Sequence, residues 1–245
     1  SPFAWESLNN GYLTTQFYTV ALDHGTPESP LLVGGAQDNN QLMTVSMDSK
    51  APWTTVYFGD GSYCAMEDGA KLHYFSKQLG KMIKATVDAG GNRTSYARID
   101  PVGGAKYLFI NPYLLDPTDN NTMYLAGGKY LWRNNKLRTI PLAGNNDSIT
   151  FGWTKGTDSI PLRNEFISAI GISSNPAHRV YYGSTMKKLY RVDSADLSTT
   201  LKPKDITALA FPSAYVSCVA VDPRNADRLM VSFSNYNVYS IFNSV

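Results

Sequence analysis

Short apolar runs that stop at glycine and pass into polar turns recur along the chain. Leu31-Leu32-Val33-Gly34-Gly35 leads into Gln37-Asp38-Asn39-Asn40. Met123-Tyr124-Leu125-Ala126-Gly127, Val180-Tyr181-Tyr182-Gly183-Ser184 and Leu229-Met230-Val231-Ser232-Phe233 repeat the form, and Leu72-His73-Tyr74-Phe75-Ser76 is a weaker copy. Runs of this length, rich in β-branched and aromatic residues and bounded by turn formers, are strands. No long window carries the 3.6-residue period of a helix.

Further strand-like runs flank each of these and give sets of four within 17–58, 62–100, 108–143 and 166–209, and a set of three within 214–243. Leu115-Asp116-Pro117, Ser174-Asn175-Pro176 and Val221-Asp222-Pro223 supply the turn after the first strand of a set, where proline presets the backbone and Asp or Asn caps it. Leu131-Trp132-Arg133, Leu189-Tyr190-Arg191 and Val238-Tyr239-Ser240 mark the third strand. Four strands repeated in this way predict an all-β fold, a five-bladed β-propeller of four-stranded antiparallel blades in a single domain, 1–245. In the third set the fourth strand is expected at 137–142. Residues 144–163 then form a long insertion, with Phe151 and Trp153 as a hydrophobic plug or an exposed stacking platform. The fifth set lacks an outer strand. Residues 3–8, at the other end of the sequence, are expected to complete it and close the ring without an open edge. The competing expectation is an arc of a larger propeller.

Composition narrows the function classes. A chain of 245 residues with 43% apolar residues can bury a sizeable core. The net charge is +2 and the basic residues are scattered, so the footprint of a nucleic-acid binder is absent. No apolar stretch is long enough to insert in a membrane as a helix. Sparse charge with plentiful Asn, Ser, Thr, Gly and Tyr suits a secreted or cell-surface protein. The sequence starts in mid-domain style at Ser1-Pro2-Phe3, as expected of a mature form or a piece of a longer parent chain with further domains. Cys64 and Cys218 lie in apolar runs and are expected as buried free thiols, with a disulfide as the alternative.

In a propeller, the turn between second and third strands and the link between blades emerge on the same face. That rule gathers Gln37, Asp38, Asn39, Asp60, Tyr113, Arg163, Glu165 and Tyr236 as a ligand-binding set, with Gln16, Asn111, Lys129 and Tyr215 nearby. Planar amides and carboxylates grip hydroxyl ligands while aromatic rings lie under their apolar faces, so a glycan or a protein is the expected partner. Asp38 and Asp60 are the candidate catalytic pair if the chain is a hydrolase. Glycosidic hydrolysis needs two carboxyls about 5–5.5 Å or about 6.5–9.5 Å apart. The alternative is that both cap tight turns. His24, His73 and His178 are isolated from one another and from cysteine, so no metal and no cofactor is expected.

Trp5-Glu6-Ser7-Leu8-Asn9-Asn10-Gly11, Gln16-Phe17-Tyr18, Gly34-Gly35-Ala36-Gln37-Asp38-Asn39 and Gly59-Asp60-Gly61 resemble sortilin-like and neuraminidase-repeat propellers of secreted Bacteroidetes-type proteins. The chain is also similar to the propellers of xyloglucan-degrading glycosidases. The Asp-box turn of that family, Ser-x-Asp-x-Gly-x-Thr-Trp, survives in part: Ser46, Asp48 and Trp53 are kept, and Lys50 and Pro52 replace the glycine and threonine. The resemblance implies a non-catalytic secreted or surface propeller binding glycan or protein. Its alternatives are a glycoside hydrolase, xyloglucanase- or sialidase-like, or a fragment of one, and a purely structural repeat module.

Overall fold

A computed structural model describes residues 3–8, 15–157, 164–197 and 199–244. The chain forms five antiparallel sheets in sequence order, four of them four-stranded. The first holds β1 (Phe17–Leu22), β2 (Leu32–Ala36), β3 (Gln41–Thr44) and β4 (Thr54–Tyr57). The second holds β5 (Gly61–Met66), β6 (His73–Lys77), β7 (Lys81–Val87) and β8 (Arg93–Arg98), and the third β9 (Tyr113–Asp116), β10 (Asp119–Gly127), β11 (Tyr130–Asn134) and β12 (Trp153–Lys155). The fourth is built from β13 (Ile167–Ser174), β14 (Ala177–Ser184), β15 (Leu189–Val192) and β16 (Lys204–Asp205). The last has three strands among the described residues: β17 (Val216–Asp222), β18 (Asn225–Phe233) and β19 (Ile241–Asn243).

Consecutive sheets bury their faces against one another. Val33 and Met43 of the first meet Cys64 and Phe75 of the second, and Tyr74 and Met82 meet Tyr113, Met123 and Leu125 of the third. Tyr124 and Leu131 then meet Ile167 and Tyr182, while Tyr181 and Leu189 meet Val216 and Val231. Glycine is required where two sheets close on each other. A Cβ on Gly35 would stand 2.0 Å from Ser62 O, and one on Gly183 would stand 2.2 Å from Val216.

Among the described residues no buried cluster joins the last sheet to the first. Alternate side chains of β1 point away from the second sheet, leaving Val20 55% exposed. On the last sheet Cys218, Ala220, Met230 and Ile241 share the face turned from the fourth, with Met230 52% and Ile241 66% exposed. Residues 3–8 carry no strand, and Trp5 is 94% exposed, so the expected closing strand is not formed there.

Three further expectations are corrected. The third strand of the last sheet is Ile241–Asn243 and not a strand through 238–240. The outer strand of the third sheet is not 137–142 but β12, drawn from the expected insertion. Residues 137–139 instead form a 3-10 turn. The buried Lys84 holds that turn by donating from Nζ to Leu137 O (2.8 Å) and Ile140 O (2.6 Å). Trp153 is a plug: its indole N–H donates to Ile99 O (2.7 Å) and its ring meets Trp132 edge-on, while Phe151 stays exposed. Of the two free thiols only Cys64 is buried; Cys218 is exposed.

Candidate functional site

β2 ends at Ala36 because the next residues carry a tight turn. Asp38 (φ 57°) and Asn40 (φ 70°) adopt the left-handed conformation that Asn and Asp tolerate better than most side chains. The Ala36 N–H donates to Asn40 O (3.1 Å), and the Asn39 side-chain amide donates to Gln37 O (3.0 Å). The link into the second sheet passes alongside. The Asp38 N–H donates to Asp60 Oδ1 (2.9 Å), and the Gly59 N–H donates to Asn40 Oδ1 (3.1 Å). Asp60 is itself tied to the β6–β7 turn, its N–H donating to Gln78 Oε1 and its carbonyl accepting from the Gln78 N–H, both at 3.0 Å. The Tyr18 hydroxyl donates to Gln37 Oε1. The result is a braced polar rim with Gln37, Asp38 and Asn39 facing solvent.

The hydrogen bond from Asp60, and then its charge, raise the Asp38 carboxyl above the ordinary aspartate value. The Asp60 carboxylate that acts on Asp38 is also the acceptor of the Asp38 N–H. Such a pair can grip a hydroxyl or an amide N–H, and one member serves mainly as a turn cap.

Tyr113 and Glu165 are not presented to solvent with this rim. Tyr113 is buried, and its hydroxyl is within hydrogen-bonding reach of Tyr74 O (2.8 Å) and Tyr63 O (3.2 Å), so it is a packing residue rather than a ligand group. Glu165 is also buried and braces its own sheet. The Ser184 hydroxyl donates to Glu165 Oε1 while accepting the Met186 and Lys188 N–H groups (3.2 and 3.1 Å). Burial raises the Glu165 carboxyl, against the opposing pull of Ser184, Lys188 and Lys129. Tyr236 is exposed beyond β18. Arg163 lies outside the described residues. Asn111 is buried and donates to Ala126 O (2.7 Å).

Polar residues also hold the sheet junctions, and Gln41 among them was not singled out in the sequence. Gln41 Nε2 lies 2.8–3.0 Å from the carbonyls of Ser62, Tyr63 and Ser76, stitching the first sheet to the second. His178 Nδ1 lies 2.9 Å from Asp116 Oδ2. Burial works to lower the His178 pKa, but Asp116 outweighs it and the net shift is upward. His73 is wholly buried, and burial lowers its pKa to about 4. The Asp-box-like segment lies between β3 and β4 and is a turn: the Lys50 N–H donates to Asp48 Oδ1 (2.9 Å) and the Asp48 N–H to Ser46 Oγ (3.1 Å). Among the described residues no three His, Cys, Asp or Glu side chains gather as a metal site, and no helix is long and apolar enough to cross a membrane.

No family model and no curated protein sequence matches the chain. Solved structures do, and they define the fold as that of a β-propeller. The extracellular domain of a hybrid two-component system of B. thetaiotaomicron is similar over 94% of this chain and 27% of its own, at TM-score 0.61 and 16% identity. The β-propeller domain of Cps50 (Swd1) from Myceliophteria thermophila matches over 95% of this chain and 71% of its own, at TM-score 0.65 and 7% identity. A chain of the COPII outer coat vertex on membranes matches over 94% and 61%, at TM-score 0.65 and 13% identity. The chain thus spans about a quarter to seven-tenths of the length of these structures.

Proposed function

We propose that this chain is a non-catalytic propeller module of a secreted or cell-surface protein, binding a glycan or a protein through the rim of Gln37, Asp38, Asn39 and Asp60. The observation that carries this reading is the bracing of that rim. Three adjacent polar side chains are presented to solvent on a turn whose backbone is fixed from the neighbouring sheet, so little order is left to be gained on binding. The Asp-box-like turn at Asp48 and the similarity to an extracellular bacterial domain support the sortilin-like, neuraminidase-repeat resemblance and the extracellular setting. The commitment of Asp60 to the Asp38 N–H favours a turn-capping and binding role over glycosidic hydrolysis.

The test is a neutral-glycan array on the wild-type chain, followed by titration of any ligand found into Asp38→Asn and Asn39→Ala. The expected result is affinity for some glycan, at least tenfold weaker in either variant, with the melting temperature unchanged. An empty array together with no effect of these variants on a partner protein's binding removes the proposal. Release of reducing sugar from a polysaccharide, lost in Asp38→Asn, replaces it with the hydrolase.

A further inference from the structure

Between the first and second sheets lies a cleft of about 310 Å³. Its walls bring together Tyr57, Lys77, Lys81, Arg93, Tyr96 and Arg98, over a floor of buried Ile83. Four cations converge on one small space, and the fold holds two of them in place. Arg93 donates from Nη1 to Val56 O (2.9 Å) and lies over the Tyr96 ring, 4.7 Å from its centroid. Arg98 forks onto Asp100 (2.7 and 2.9 Å) and donates from Nη1 to Asn146 O (3.0 Å). Lys77 Nζ stands 5.1 Å from the centroid of Tyr57.

The acidic groups near the cleft both serve one cation. Asp100 is paired with Arg98, and Asp147 acts on Arg98 as well. Among the described residues Lys77, Lys81 and Arg93 form no ion pair. The mutual repulsion registers on Lys77, where burial first, then Lys81 and Arg98, lower the pKa. Like charges held together without a counter-charge are costly unless an anion offsets them. Planar guanidinium and ammonium donors arranged around aromatic walls suit a tetrahedral oxyanion carried on a compact ring.

We infer that the cleft between the first two sheets is a binding site for a small molecule bearing a sulfate or phosphate monoester, held by Lys77, Lys81 and Arg93 with its body against Tyr57 and the exposed Phe58. A volume of about 310 Å³ sits at the small end of ligand clefts, which limits the body to roughly one ring. The site does not depend on the rim for its chemistry.

The experiment is calorimetric titration of the intact chain with glucose 6-sulfate, glucose 6-phosphate, inorganic phosphate and glucose at low salt. Both esters are expected to bind more tightly than inorganic phosphate, glucose not at all, and the tighter ester identifies the source. Lys77→Gln/Lys81→Gln is expected to weaken the esters at least tenfold with an unchanged melting temperature. Asp38→Asn is expected to leave them unaffected, which separates this site from the rim. Equal ester affinity in the lysine variant, no ester binding at millimolar concentration, or equal affinity for inorganic phosphate and the esters overturns the inference.

Discussion

The boundary between the second and third sheets and the faces left on the first and last sheets are made from the same kinds of residue, with opposite fates. At the boundary Tyr74, Met82, Ile99, Tyr113, Met123 and Leu125 are all buried, and Lys84 and Trp153 tie the surrounding loops down through carbonyls. On the outer faces Val20, Leu22, Met230 and Ile241 stand at least half exposed. The alternation of β1 and β17 is that of strands in the middle of a propeller, so the strand pattern alone does not tell a sealed face from an open one. The difference lies in whether a neighbouring sheet is there to receive the side chains, and burial of an apolar side chain is what stabilises the ring.

That contrast sets the ranking of mutational effects. Leu125→Ala removes a buried side chain from the sealed boundary and is expected to cost about 2–5 kcal/mol in chemical denaturation. Lys84→Met strands the carbonyls of Leu137 and Ile140 in the same region and is expected to cost about 1–3 kcal/mol. A loss below about 0.5 kcal/mol for either would mean that this boundary is not sealed.

One buried and one half-buried histidine sharpen the picture through pH. His73 resists protonation in the folded chain until about pH 4, whereas the unfolded chain takes the proton near 6.5. Stability is therefore expected to fall as pH drops from 6.5 towards 4, and His73→Leu should flatten that decline. His178 has the opposite sign. Its folded pKa is raised, so its contribution is full below pH 6.5 and lost as pH climbs through the folded value; His178→Asn should abolish that loss. Denaturation curves across the range measure both, and slopes unchanged by the substitutions would contradict the assigned environments. The smallest effect belongs to the open face, where Met230→Ser is expected to change stability by no more than about 0.5 kcal/mol.

Most of the strand plan was legible because alternation and turn residues are local signals. The failures each come from a long-range cause. Leu137, Ile140 and Leu142 are spaced like part of a strand, but Lys84, more than fifty positions away in sequence, captures the carbonyls that a ladder would have used. Tyr113 opens a strand at a blade link, where the topology suggests the ring's face, yet its ring points into the junction with Tyr74. A register shift between Val216 and Cys218 turns the thiol outward, and no residue type announces that bulge. Asp38 and Asp60 come together as the turn-and-link rule of propellers expects, because that rule is a matter of topology. The cationic cleft was not, because Lys77, Lys81, Arg93 and Arg98 are unremarkable until β6, β7 and β8 lie side by side.

Among the described residues the outward faces of the last and first sheets are left exposed, and Cys218 is the natural reporter of that exposure. Cys64 is buried, with its thiol pushed up to about 12, whereas Cys218 is exposed, although partial burial raises its thiol as well. Maleimide labelling of the native chain with peptide mapping should modify Cys218 alone. A chain in which Cys218 is protected until it unfolds would contradict that exposure and mean that the ring is closed.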